Sequence, residues 1–264
     1  MPLAIEYIRR MRGGAQSHLM RCEDENYYVV KFQNNPQGTR VLVNELLGTR
    51  LAARMGIAAA GAAVVEVLPR MIEVTEDLVV QLGRGRTPCT AGLEFGSQFP
   101  GDPARTAVYD FLPDEPLRQV DNLADFCGIF VFDKWTCNTN GRQAVFLRDR
   151  DTERYRALMI DQGFCFNASE WNFPDAPLRG IYSRSAVYEQ VHGWEAFDLW
   201  IERAERIGEN VLDEIAREIP PEWYNFDQDA LYSLLERLLG RRKRIRELIL
   251  SAKNSSRAPF PNWT

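Results

Sequence analysis

The spacing of apolar residues changes several times along this chain, and each change predicts an element. Tyr27-Tyr28-Val29-Val30-Lys31-Phe32 is an apolar run of strand length behind a glycine-bearing turn, Arg12-Gly13-Gly14-Ala15-Gln16-Ser17. From Pro36 the period becomes helical and holds to Gly56, a residue suited to a helix end. Residues 123–137 are too apolar for a surface helix and predict a buried one, followed by a polar loop at 138–143 and a strand at 144–147. After a charged turn at 148–154, residues 155–160 predict a second strand that runs into Asp161-Gln162-Gly163. Beyond Ser185 the pattern is helical, with Trp194, Phe197, Trp200 and Ile201 in phase and Pro220-Pro221 as a stop. Asp227 is placed to cap a last helix whose Leu231, Leu234, Leu235, Leu238 and Leu239 form an apolar stripe. Residues 82–101, rich in glycine, predict a long loop, and the serine- and proline-rich tail after Ala252 is expected to fray.

Three charged residues interrupt this pattern where chemistry has to answer for them. Lys31 lies inside a strand that reads as buried, and an unpaired ammonium there costs several kcal/mol, so it needs a phosphate or a carboxylate. Glu45 falls within about 60° of Leu42 and Leu46 on a helical wheel, at the border of the core-facing stripe. Asp161 ends a strand and offers one hard oxygen donor of the kind Mg²⁺ takes together with substrate phosphates, while Gly163 lets the chain turn away. A glycine turn, a strand lysine, a helix glutamate, a buried helix, a polar loop and Asp-x-Gly stand in the order used by protein-kinase-like enzymes.

With those residues in that order, the sequence resembles the HipA-like kinases. Gly13, Gly14, Ala15, Gln16 and Ser17 look like the phosphate loop, Lys31 and Glu45 like the nucleotide lysine and its acid, and Asp161 like the magnesium aspartate. The stretch from Phe132 to Gln143 is similar to the catalytic loop, and the resemblance spans about residues 10 to 170. It implies an α+β, bilobal protein-kinase-like fold, with a small sheet-rich lobe at 1–112 and a larger helical lobe at 113–264. The connector Tyr109-Asp110-Phe111-Leu112-Pro113-Asp114-Glu115-Pro116 is the candidate hinge. ATP and Mg²⁺ are the implied cofactors, and a protein or small-molecule hydroxyl the implied phosphoacceptor. Ser17 is either a turn former or a site of self-phosphorylation, where a phosphate would repel the nucleotide.

The catalytic loop departs from the family pattern. Asn140 stands at the aspartate position, Arg142 at the histidine position and Val145 at the asparagine position. An amide cannot take a proton as a carboxylate does, and valine binds no metal. Gln143 is the remaining oxygen donor for a cation, and Asp133 is the nearest spare carboxylate unless Arg142 or Lys134 holds it. Two readings follow: a kinase with slowed or altered transfer, or a pseudokinase that binds nucleotide as a sensor or scaffold.

Composition narrows the field further. At 264 residues, 45% hydrophobic and 26% charged, the chain can bury a sizeable core. A net charge of −5 argues against nucleic acid as a partner, and the basic run at 241–246 reads as a solvated helix face. Arg84 and Arg86 are loop arginines that attract phosphate or stay solvated. Two histidines and five cysteines without a Cys-x-x-Cys pair give poor support for zinc or a Ser-His-Asp hydrolase. No apolar stretch spans a bilayer and no leader-like run opens the chain, so a cytoplasmic protein with reduced thiols and no membrane partner is expected. Because the chain begins close to the phosphate loop, no antitoxin-like partner is carried over from the family.

Overall fold

The computed structural model describes residues 1–148 and 154–264. The chain runs through β1 (Ala4–Arg10), β2 (His18–Cys22), β3 (Tyr27–Lys31), α1 (Arg40–Arg54), β4 (Ala62–Val67), α2 (Pro69–Val74), β5 (Val79–Leu82), β6 (Gly85–Pro88) and β7 (Gly92–Gln98). It continues with β8 (Val108–Tyr109), α3 (Asp114–Arg118), α4 (Asp125–Thr136), β9 (Gln143–Arg148) and β10 (Tyr155–Ile160). The helices α5 (Asp198–Glu205), α6 (Glu209–Ala216), α7 (Gln228–Arg241) and α8 (Ile245–Lys253) complete it. The first part is a five-stranded sheet in the order β1-β2-β3-β7-β4, and the second is helical around the three-stranded sheet β10-β9-β8.

The period-two alternation of the strands decides which way Lys31 points. Tyr28, Val30 and Phe32 join Met20, Val65 and Val67 in a cluster with Leu78, just before β5, and Val80 of β5. Their odd-numbered neighbour Lys31 therefore faces the opposite side of the sheet, where α1 packs. Eleven residues of α1 are buried, among them Asn44 and Glu45, and its leucines belong to the larger core built with α4 and the later helices. The two parts are tied at the connector before β4, where Met159 N–H donates to Ala58 O at 2.8 Å and Met159 O accepts from Ala60 N–H at 3.1 Å.

Three expectations change. The stretch read as a long loop at 82–101 is mostly strand: β5 and β6 form a hairpin, and β7 is paired on both sides, with β3 and with β4. Its glycines hid the pattern, and Gly96 is there for space, since a Cβ would lie 2.5 Å from Val65 Cγ2 and 3.1 Å from Tyr28 Cδ1. The tail does not fray: Phe260 is buried against Phe130, Tyr188 and Phe197, and Trp263 meets Trp194 edge to face. The basic run is a solvated face only in part: Lys243 and Arg246 are exposed, Arg246 pairing with Asp198 at 2.8 Å, whereas Arg241 is buried and Arg242 donates to the carbonyls of Glu205 and Ile207. The candidate hinge is β8, a bend and the start of α3, while the charged turn at 148–154 lies largely outside the described residues.

Candidate functional site

Three elements converge on one ammonium group. Lys31 Nζ, on the last residue of β3, hydrogen-bonds Glu45 Oε1 of α1 and lies 2.9 Å from Asp161 Oδ1 at the end of β10. The second oxygen of Glu45 accepts the backbone N–H of Gln162 at 2.8 Å, so the glutamate holds the lysine and the chain beyond Asp161 together. Asp161 itself adopts φ +62°, so the left-handed residue of Asp-Gln-Gly is the aspartate. Gly163 serves another purpose from the expected one: a Cβ there would stand 2.7 Å from Val41 Cγ1 and 3.1 Å from Glu45 Oε1, so its bare Cα lets α1 approach.

Electrostatics separates the two carboxylates. Burial pushes Glu45 up, with Lys31 opposing and the Asp161 charge adding to the rise. Burial acts on Asp161 too, yet Lys31 and Arg142 hold it below the usual carboxylate range. Lys31 is driven down by burial but ends above its ordinary value because Glu45 and Asp161 flank it. Asp161 is thus kept ionised, and its side chain retains 23% of its exposure against 2% for Glu45. Its other oxygen accepts from Gln143 Nε2 at 2.6 Å, which brings together the two expected metal-binding side chains. The Gln143 side-chain oxygen and the Asp161 carboxylate are hard donors, the kind a divalent cation takes. Among the described residues no group of three or more His, Cys, Asp or Glu side chains forms a metal cluster.

Asp133 is not spare. Both its oxygens are taken by Arg142, with Nε at 2.9 Å, and Asn138 Nδ2 donates to it at 2.9 Å; the Asp133 and Arg142 side chains are fully buried. Arg142 also donates to Ile160 O at 2.8 Å, so the pair fixes the backbone that presents Asp161. Lys134, the other partner considered for Asp133, instead bonds the carbonyls of Pro177 and Arg179, and burial lowers it to about 8 despite the Asp133 charge. Asn140 lies half-buried in the loop between α4 and β9, its Oδ1 turned to the N–H of Gly141 and its carbonyl accepting from Gly180 N–H at 2.8 Å. Val145 is on the same face of β9 as Gln143.

The glycine-bearing connection Gly13 to Ser17 joins β1 to β2. Gly13 has φ +129°, and Gly14 abuts Gln37 just ahead of α1. Gln16 clamps the connection to β5, accepting from Gln81 N–H at 2.7 Å and donating to Gln81 O at 2.9 Å. Ala15 and Ser17 are buried. Among the described residues none of these five shares a hydrogen bond with Lys31, Glu45 or Asp161.

Asn44 escaped the sequence reading. Fully buried beside Glu45, it donates from Nδ2 to Gly163 O (2.8 Å), Cys165 O (3.0 Å) and Ala168 O (2.8 Å) and accepts from Trp171 Nε1. The segment it holds is left-handed at Phe166, Asn167 and Ala168, a conformation that L residues rarely take in succession. Two adjacent polar residues in the apolar run Leu42-Val43-Asn44-Glu45-Leu46-Leu47 were the available signal.

The fold recurs in known proteins. The structure is similar to a Golgi casein kinase with Mn/ADP bound (TM-score 0.56, 12% identity, 98% of this chain and 75% of that one). It is equally similar to the Helicobacter pylori proinflammatory kinase CtkA (TM-score 0.56, 14% identity, 94% and 95%), and also to hydra Fam20 (TM-score 0.52, 11% identity, 96% and 88%). At such identities the likeness establishes the fold, a bilobal protein-kinase-like one. No curated protein matches the sequence. A sequence profile of HipA-like kinases matches residues 4–246, which take in the glycine-bearing connection, Lys31, Glu45, the α4–β9 loop and Asp161. With nearly the whole length matched, the chain belongs to the HipA-like kinase family.

Proposed function

We propose that this protein binds ATP with Mg²⁺ in the cleft between residues 1–112 and 113–264 and transfers the γ-phosphoryl group to a hydroxyl of a protein or small molecule. The observation that carries this reading is the bridge from Lys31 Nζ to both Glu45 and Asp161. It sets a cation at the end of β3 and an ionised, part-exposed carboxylate beside it, the charge arrangement that holds nucleotide phosphates. Gly13 to Ser17 cover the phosphates with backbone N–H groups, and Lys31 neutralises them. Asp161 and Gln143 would hold the cation, which when bound would supply charge neutralisation at the phosphoryl group. In the transfer the acceptor oxygen bonds phosphorus, the bond to the ADP oxygen breaks, and ADP leaves with that electron pair. The acceptor proton passes to solvent, since Asn140 offers no carboxylate and Asp133 is sealed against Arg142.

That last feature favours a second reading, a nucleotide-binding pseudokinase that serves as sensor or scaffold. Thermal unfolding of wild type and Asp161→Ala, with ATP in the presence and absence of Mg²⁺, tests what both readings share. A ligand at a hundred times its dissociation constant stabilises by about 2.7 kcal/mol. The proposal requires stabilisation of wild type and loss of its magnesium-dependent part in the variant; no response to any nucleotide would refute it. Phosphate incorporation abolished by Lys31→Ala then selects the kinase over the pseudokinase.

A further inference from the structure

The start of β7 makes a bond that the cleft does not account for. Trp223, fully buried in the turn Pro221–Tyr224, donates its indole N–H to Leu93 O at 2.7 Å. Gln33 Nε2 donates to the same carbonyl at 3.1 Å, and Gln33 N–H to the Glu94 carboxylate at 2.7 Å. Leu93 O thus gathers β7, the chain leaving Lys31 and a residue 130 positions further on. Lys31 itself is paired across the strands with Phe95, next to this junction. The helix that carries Glu45 is held from the same part of the chain. Arg50 meets Glu218 at 2.9 Å, Arg54 meets Glu214 of α6 at 2.8 Å, and Arg203 of α5 donates to Met55 O at 2.9 Å, just past the end of α1. Residues 203–223, which carry no chemical motif, therefore brace both elements that present Lys31 and Glu45.

The Lys31–Asp161 bond crosses between the sheet-rich part and the helical part, so it depends on the angle at which the two meet. A connector alone lets two such parts rotate about it, and a further tie between them fixes the angle. Exposed ion pairs are worth little singly, whereas a fully buried indole that loses its acceptor is left with an unpaired N–H. Trp223 is accordingly the member of the brace whose loss matters most. We propose that Trp223 is a positioning residue: through Leu93 O it sets the angle between the two parts and keeps Lys31 against Asp161 before any ligand binds. Its bearing on nucleotide affinity rests on the function proposed above; its hold on Lys31 does not.

Trp223→Phe keeps an aromatic ring and removes the N–H donor. The chain's lysines are Lys31, Lys134, Lys243 and Lys253, so brief acylation of the full chain with acetic anhydride, read by mass spectrometry, reports each site separately and needs no nucleotide. Lys134 is the internal control, buried on carbonyls of the helical part, Pro177 O and Arg179 O. Acylation of Lys31 should be about tenfold faster or more in Trp223→Phe, with Lys134 unchanged. A merely structural role loosens both lysines alike; that outcome, or an unchanged Lys31, overturns the proposal. Should Trp223→Phe fail to fold, Glu214→Gln/Glu218→Gln, confined to exposed pairs, should give a smaller acceleration at Lys31 alone, and none would overturn the brace. Titration with Mg²⁺-ATP is the second arm, in which Trp223→Phe should bind more weakly than wild type. Equal binding overturns the bearing on nucleotide, whereas a wild type that binds no nucleotide refutes the proposed function and leaves the acylation result to decide the brace.

Discussion

Asn44 on α1 accepts the indole N–H of Trp171, 127 positions away, at 2.9 Å. Its neighbour Glu45 holds Lys31 and the backbone of Gln162, so two consecutive helix residues grip both sides of the chain that leaves Asp161. The left-handed turn after Asp161 also meets the loop between α4 and β9, where Thr139 N–H donates to Phe164 O at 3.1 Å and Asn167 N–H to Cys137 O at 3.2 Å. Placement of α1 and of that loop is therefore coupled through the turn.

If that coupling holds, Asn44→Ala strips the carbonyls of Gly163, Cys165 and Ala168 and the indole of Trp171 of their partner. A loss of about 3 kcal/mol in stability is expected from the unpaired buried groups. Amide exchange at Thr139 and Asn167, whose N–H groups bond Phe164 O and Cys137 O rather than Asn44, should accelerate. Unchanged exchange at both would show that the turn is held by other contacts.

The Lys31–Glu45 pair gives a second expectation. Lys31→Met leaves a buried carboxylate without its cation and should cost about 3–5 kcal/mol, whereas Lys31→Met/Glu45→Leu should recover most of that loss. Urea unfolding of the four proteins in the cycle measures the coupling, and additive single losses would argue against it.

In the proposed transfer, Asn140 stands where a carboxylate would take the acceptor proton. Asn140→Asp restores a proton acceptor in the loop, and general-base assistance is worth about 10²-fold or more. Phosphate transfer should rise by at least that factor with nucleotide affinity unchanged. An equal rate in both proteins would place proton loss outside the rate-determining step.

Glu94 predicts a pH dependence of stability. Its carboxylate is fully buried in β7, accepting from Gln33 N–H at 2.7 Å and Thr90 Oγ1 at 2.9 Å, and burial raises it to about 8 from 4.5. The folded state then holds a proton that the unfolded chain has lost, so this contribution is complete below pH 4.5 and is lost as pH rises through about 8. Inside that window stability should fall by about 1.4 kcal/mol per pH unit, and Glu94→Gln should flatten the slope. A wild-type profile that already matches Glu94→Gln would rule the effect out.

Legibility followed the range of the interactions. The strand ending at Lys31, the helix with Glu45, the buried helix before the polar loop and the strand before Asp161 are written in local apolar period, because a face that must be buried imposes its repeat on the residues. Strand β7 was hidden because Gly92 and Gly96 break the alternation, and the reason for Gly96, the side chains of Val65 and Tyr28, lies on other strands. The tail looked frayed because its anchors Phe260 and Trp263 are isolated in sequence and find their pocket only among Phe130, Tyr188 and Phe197.

The sequence by itself determined the order of the elements and the identities of Lys31, Glu45 and Asp161, since a charge in an apolar run announces its need for a partner. Only the tertiary structure decided which partners they take. Asp133 could face solvent, substrate or Arg142 from the same helical position, and the path of the loop between α4 and β9 set Arg142 against it. The basic run was equally undetermined, because whether an arginine on a helix is solvated depends on what chain crosses that face; here residues 173–175 do, and they bury Arg241. A residue type sets what a group can bind, whereas contacts between residues far apart in the chain set what lies within its reach.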